Sequence, residues 1–397
     1  MQSIRKALAM ATITGALVAA AVASSTPVVN AQTAYDASFD PGPSDDTFLD
    51  QKFTPASSTT NGTVLDSRQI TVKGPLATSN PPTAWQVWFK TTSADREPIA
   101  AVTTILKPTP WNGKVVSNNY AIDGLGLQCN LSYQLTHSYN VESPNVTQQL
   151  LDKRYAVLLT DYQGPHMAYS NGPTEGPEVL DGIRAALNYT PAALQNARNN
   201  TEVAMVGYSG GAIATAWAAQ LQPTYAPELN MVGAASGGTP ADPSLLPARM
   251  DGKPPVAVLY LLAALGNARV TPGALALANP IGVQLGHLFK DACFPTAALL
   301  GLGPVPLASL TNPFIYSNPI VKSIMANGKA GGKTPTMPVY LWHGDLDEFI
   351  PLAGAQALQK TWQQNGANVT LTVVPGDHVT AAYYSGPMTQ IDEWMGQ

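Results

Sequence analysis

One serine, set between glycines where an apolar run gives way to small residues, constrains this chain more than any other feature. Residues 202–219 read EVAMVGYSGGAIATAWAA, with Gly207-Tyr208-Ser209-Gly210-Gly211 at the join. A G-x-S-x-G pattern so placed turns a strand sharply into a helix and leaves the serine at the top of a sheet in a strained backbone conformation. Side chains at the two outer glycines would collide with the neighbouring strand or helix, which is why only hydrogen fits there. In a chain with 33 glycines the bare pattern arises easily by chance. Its weight comes from context: it occurs once, after a β-like run and before a helix-compatible one.

The rest of the chain supplies the sheet this turn needs. Runs of strand character fall at 67–73, 84–91, 99–106, 114–118, 155–161, 203–206, 231–235, 339–342 and 369–374. The earliest follow one another through short turns and read as antiparallel. The later ones alternate with helix-compatible segments at 146–153, 178–188, 212–222, 353–365 and 390–395. This order predicts an α/β fold with a mostly parallel central sheet entered through an antiparallel part. The alternation breaks once, over about a hundred low-charge residues between Gly238 and Pro338, with helical character at 256–268 and 281–290. A segment inserted there is expected to form a helical lid or cap, residues 239–330, over the carboxyl edge of the sheet, where ligands bind in open α/β folds. The core then comprises residues 64–238 and 331–397, and residues 32–63, rich in Asp, Pro, Ser and Thr, form an irregular arm.

Residues 1–31 read as a secretory signal peptide: Arg5 and Lys6, an uncharged small-residue stretch, then Val29-Asn30-Ala31. Cleavage after Ala31, with Ala23 the alternative, removes two basic and no acidic residues, taking the formal charge from −5 to −7. With no basic run, nucleic acid is not an expected partner. Export to an oxidising compartment also bears on the only two cysteines, Cys129 and Cys293, which are expected to be bonded to each other. Six Asn-x-Ser/Thr acceptors, at Asn61, Asn130, Asn145, Asn188, Asn199 and Asn368, matter only in a eukaryotic secretory pathway.

A serine hydroxyl becomes a useful nucleophile only when a base takes its proton and a third group fixes the tautomer of that base. In this fold the order along the chain is serine, acid, histidine. Of the five histidines, His137 and His166 precede Ser209 and His287 lies in the inserted segment. His343 and His378 remain, in PVYLWHGDLDEFIP and NVTLTVVPGDHVTAAY, each an apolar strand running into a polar loop. His343 follows its strand directly and reads as a structural residue, which leaves His378 as the base. Asp347, three residues past Gly344, is the expected acid, with Asp345 the alternative and Glu348 also in the loop. An oxyanion hole needs two backbone N–H donors. Gly210 supplies one, and the loop at Tyr120–Gly124 is the place for the other.

Taken in order, Asp123 to Cys129 with Ser132, Asp161-Tyr162-Gln163-Gly164-Pro165, the elbow, His343-Gly344-x-x-Asp347-Glu348-x-x-Pro351 and Gly376-Asp377-His378 resemble the secretory lipases typified by a yeast lipase A. The resemblance runs from about Asp45 to the C-terminus. It implies an α/β-hydrolase with a helical lid, acyl-ester hydrolysis through Ser209, Asp347 and His378, a second oxyanion donor at Asp123, and a Cys129–Cys293 disulfide tying the oxyanion loop to the lid. Two departures stand out: Gln163 replaces the usual acidic residue, and only nineteen residues follow His378. The expectation is a secreted serine ester hydrolase acting on lipid acyl esters, triacylglycerol being the family's type substrate, with contact at a lipid–water interface. A short-chain carboxylesterase or an acyltransferase would use the same triad. A peptidase would need an acidic cluster for an amino terminus, and a non-catalytic relative would be expected to lack a triad member. No metal or organic cofactor is expected.

Overall fold

The computed structural model describes residues 36–74, 76, 81–137, 145–196, 200–299 and 304–396. The signal peptide expected over residues 1–31 and the acceptor Asn199 lie outside the described residues.

Nine strands form one sheet: β1 (Val64–Ile70), β2 (Thr83–Thr92), β3 (Pro98–Lys107), β4 (Val115–Asn119), β5 (Ala156–Thr160), β6 (Val203–Tyr208), β7 (Met231–Gly237), β8 (Val339–Gly344) and β9 (Val369–Val374). Their order is β1-β2-β3-β5-β4-β6-β7-β8-β9. Pairing is antiparallel from β1 through β5 and parallel from there to β9. The central strands are buried along their whole length, as parallel strands covered on both faces must be.

Period-two alternation sorts the strand residues to two separate layers. Val115, Leu158, Val203, Met205, Val339 and Leu341 pack with the helices Gly172–Asn188, Gly210–Tyr225 and Leu352–Gln364. Their neighbours Val116, Val157, Leu159, Ala204, Val206, Tyr340 and Trp342 pack on the opposite face with Leu150, Met388 and Ile391. Each fully buried aliphatic side chain contributes about 1.5–3 kcal/mol relative to exposure, so the two layers hold the sheet between helices. Asn119 pairs with Gly207 across β4 and β6, which brings the loops after both strands to the same edge.

Between β7 and β8 lies a helical segment with its own apolar cluster, and this cluster includes Leu125, Tyr169 and Ile350 from loops at the carboxyl edge of the sheet. Its longer helices run Ala257–Arg269 and Pro280–Phe289, each one residue from the sequence expectation. The helices Leu246–Met250, Phe294–Leu299, Leu307–Leu310 and Pro319–Asn327 were not foreseen, because most are too short for apolar periodicity to register. Two starts in this segment, one of an expected helix and one of an unexpected one, carry a local signal. At Asn279-Pro280 and Asn318-Pro319 the asparagine side chain accepts the N–H groups of Ile281 and Ile320, and proline takes the first helical position. A disulfide joins Cys129 to Cys293, and a β-bridge pairs Gly124 with Cys293, so this segment is fastened to the loop after β4.

Candidate active site

β6 ends at Tyr208, and Ser209 then takes φ +54° and ψ −117°, a combination that costs a residue with a side chain on the order of 1–3 kcal/mol. The chain holds it there. The Ser209 N–H donates to the Gly237 carbonyl at 2.8 Å. A Cβ on Gly207 would overlap the Gly211 carbonyl, and one on Gly211 would overlap the Asn119 carbonyl, so the strand, the turn and the following helix meet with no room for side chains. The hydroxyl ends at the carboxyl edge of the sheet, only 8% exposed.

There it meets the two residues read from chain order. Ser209 Oγ lies 2.9 Å from His378 Nε2, and His378 Nδ1 lies 2.7 Å from Asp347 Oδ2. Asp347 Oδ1 accepts the N–H groups of Phe349 at 2.9 Å and Ile350 at 2.7 Å. Burial would raise the Asp347 carboxyl, but the bonds from His343, His378 and Ile350 outweigh it and hold the group well below the usual carboxylate range. An ionised Asp347 fixes the Nδ1–H tautomer of His378 and leaves Nε2 free to accept the Ser209 proton. Asp345 and Glu348 do not reach the ring: Asp345 accepts the Gly376 N–H at 2.8 Å and Glu348 the His378 N–H at 3.1 Å.

Several groups lock this arrangement; His343 was read as structural, but its bond to Asp347 and the roles of Tyr208 and Phe349 were not read from the sequence. His343, fully buried, places Nε2 3.2 Å from Asp347 Oδ2 and 2.9 Å from the Ile350 carbonyl. The i, i+4 spacing of His343 and Asp347 was the available sign. Tyr208 donates its hydroxyl to the His378 carbonyl at 2.6 Å, and the Phe349 ring stacks on the imidazole at 4.8 Å. His378, expected in a loop, is the first residue of a short helix, His378–Ala382, where Asp377 and Thr380 cap each other reciprocally.

On the other side of Ser209, Asp123 takes φ +44° in the loop after β4. Its carbonyl accepts the Phe294 N–H at 2.9 Å, and the Leu125 N–H donates to the Ala292 carbonyl at 2.9 Å. Asp123 packs directly against Gly210, where a Cβ would overlap its Oδ1. Among the described residues, and outside the helices and strands, neither the Asp123 nor the Gly210 N–H has a backbone acceptor. The Asp123 side chain is buried, and burial pushes its carboxyl up to about 6 against the opposing effects of Tyr169 and His378. Asp161, bonded by the Ser132 hydroxyl, is pushed by burial up to about 7. Burial likewise raises Glu175 and Glu178 well above the usual range. Gln163 is buried, with no partner for either amide atom among the described residues.

A cavity of about 190 Å³ opens within the helical segment rather than at the serine, lined by Val258, Leu262, Leu265, Leu285 and Phe289 and reaching Ser170 beside Tyr169. Among the described residues no cluster of His, Cys, Asp and Glu could hold a metal ion, and no helix is long and apolar enough to cross a membrane.

The profile of the family described as "Secretory lipase" matches residues 129–269 and 310–395, more than half of the chain. The chain belongs to the secretory lipase family. It is accordingly a carboxylic ester hydrolase on the α/β-hydrolase fold. Among its relatives, the secreted triacylglycerol lipase LIP3 of Malassezia restricta is 32% identical over 332 residues, 78% of this chain and 69% of that one. Lipase A of Moesziomyces aphidis is 28% identical over 87% of this chain and 78% of that protein. The closed-state crystal structure of Candida antarctica lipase A superposes with a TM-score of 0.76 at 26% identity, covering 93% of this secretory lipase and 88% of its counterpart.

Proposed function

We propose that the protein is a secreted lipase that hydrolyses triacylglycerol and related lipid esters through an acyl-enzyme on Ser209. Ser209 Oγ attacks the ester carbonyl carbon while its proton passes to His378 Nε2, and Asp347 holds the imidazole and stabilises its charged form. The oxyanion is received by the N–H groups of Asp123 and Gly210, each worth roughly 3–4 kcal/mol in the transition state. His378 then gives its proton to the departing alcohol. Water, activated by the same ring, attacks the acyl-enzyme, and Ser209 recovers its proton from His378 as the fatty acid leaves.

The observation that carries this reading is the continuous path from Ser209 Oγ to His378 Nε2 at 2.9 Å and from His378 Nδ1 to Asp347 at 2.7 Å. The substrate class rests on the cavity in the helical segment, whose wall is almost wholly aliphatic and aromatic, as an acyl chain requires. In this reading residues 239–330 cap the site, and cleavage after Ala31 releases the mature enzyme outside the cell, as the names of the secreted relatives support. The test is acid release from a triacylglycerol emulsion by mature protein and by Ser209→Ala. Loss of release by about a millionfold in the variant is expected; equal release by the two would overturn the assignment.

A further inference from the structure

The arm that precedes the sheet reaches into the helical segment at one point. Phe39 ends a single helical turn, Ala37–Phe39, is only 5% exposed, and is part of the cavity wall. We infer that this arm residue sets how long an acyl chain the enzyme accepts, an inference that rests on reading the cavity as the acyl pocket.

The helix Pro280–Phe289 turns one stripe toward the cavity: Gly282, Leu285, Gly286 and Phe289, at the spacing of a single helical face. Two of these four positions lack a side chain, and in each the space is filled from elsewhere. The Leu310 carbonyl occupies the place of a Cβ on Gly282, and the Phe39 ring stands 2.7 Å from where a Cβ on Gly286 would be. The same ring stacks on His287 with centroids 4.3 Å apart and planes 15° apart. This helix therefore does not complete the pocket wall by itself; a residue nearly 250 positions earlier does.

Polar anchors fix where that ring sits. The Gly42 N–H donates to Asp291 Oδ1 at 2.6 Å, Lys290 Nζ donates to the Asp40 carbonyl at 3.2 Å, and Asp40 Oδ1 lies 3.0 Å from His166 Nδ1 on the core. With the residues just after it tied both to the helical segment and to the core, the ring is held as a stop rather than a swinging flap. An apolar wall discriminates between chains by the methylenes it admits or rejects, about tenfold or more where the fit is close.

The test compares kcat/KM of the mature enzyme on p-nitrophenyl esters from four to eighteen carbons with that of Phe39→Ala, Phe39→Leu and Phe39→Trp. Phe39→Ala is expected to raise the ratio of long-chain to medium-chain activity about tenfold, Phe39→Leu less, and Phe39→Trp to lower it. Should the alanine variant lose its cooperative melt, the leucine and tryptophan variants carry the test in opposite directions. A uniform fall across all chain lengths, or an unmoved profile, would assign Phe39 a structural role only and overturn the inference. Ser209→Ala, run alongside, separates the two claims: Ser209-dependent activity with an unmoved profile sinks the arm's role alone, whereas activity that survives Ser209→Ala sinks the lipase mechanism as well.

Discussion

On the base side of Ser209 a carboxyl group is buried among donors, whereas on the other side burial raises the carboxyls of Asp123, Asp161, Glu175 and Glu178, and among the described residues none of the four is in an ion pair. Asp347 receives the His378 ring, the His343 ring and two backbone N–H groups, and stays below the usual carboxylate range. Asp123 has a Tyr169 bond for one oxygen and no partner for Oδ1, and burial moves it up. Asp347 is buried, as are Asp161, Glu175 and Glu178. What differs is how many donors meet the charged form, and that sets the direction in which each acid moves. The division suits the proposed mechanism, in which an imidazolium forming beside Asp347 needs a negative charge and an oxyanion forming beside Asp123 needs none.

The largest way to break this comparison is to discharge the base side. Asp347→Asn should lower kcat by about 10⁴, because the amide donates where a carboxylate accepted and favours the wrong tautomer of His378. Asp345→Asn should change ester turnover little, since Asp345 bonds the Gly376 N–H and not the ring. Near-full activity in the first variant together with loss in the second would reverse the choice of acid. Next in size is the oxyanion side. Gly210→Ala puts a methyl group where Asp123 Oδ1 lies and should displace that donor, with kcat falling about 10²–10³ while the melting temperature holds. If kcat stayed level, Asp123 would not be the second donor.

The smallest effect separates the two sides by pH. A carboxyl raised in the folded state holds its proton when the unfolded chain has lost it, so its contribution is complete below the ordinary carboxylate value and fades as pH rises. For Asp123 that window runs from 3.8 to about 6 and for Asp161 from 3.8 to about 7, with Glu175 and Glu178 extending it upward. Asp347 has the opposite sign: its contribution is present above 3.8 and is lost as pH falls below it. The mature protein should therefore melt a few degrees higher near pH 5 than near pH 8 in thermal scans. Replacing both Glu175 and Glu178 with glutamine should flatten that slope, and a slope of the opposite sign would show the acids to be ionised and paired.

Much of this arrangement was legible in the sequence for reasons that can be named. The turn at Ser209 is forced by glycines that no other residue could replace, and the order of serine, acid and histidine follows from strands that end at one edge. The donors that tune the site were not legible, because most are main-chain groups such as the Phe349 and Ile350 N–H, placed by a turn that side chains do not announce. Nor does GPTEGPEVL distinguish two buried glutamates from two solvated ones. Only the packing of Gly172–Asn188 against the sheet reveals that Glu175 and Glu178 face inward. In the helical segment the short helices rest on caps and tertiary contacts, and periodicity had little to read.

The fastening of the loop after β4 to residues 292–294 has a consequence for how such enzymes diversify. One disulfide and the main-chain bonds around Asp123 and Leu125 make the loop proposed to hold half of the oxyanion receptor and residues 292–294 of the helical segment a single mechanical part. Specificity modules in many proteins are exchangeable cassettes. Here a foreign segment spliced between β7 and β8 would arrive without the partner that keeps Asp123 in register, so the pocket and the reaction centre must be inherited together.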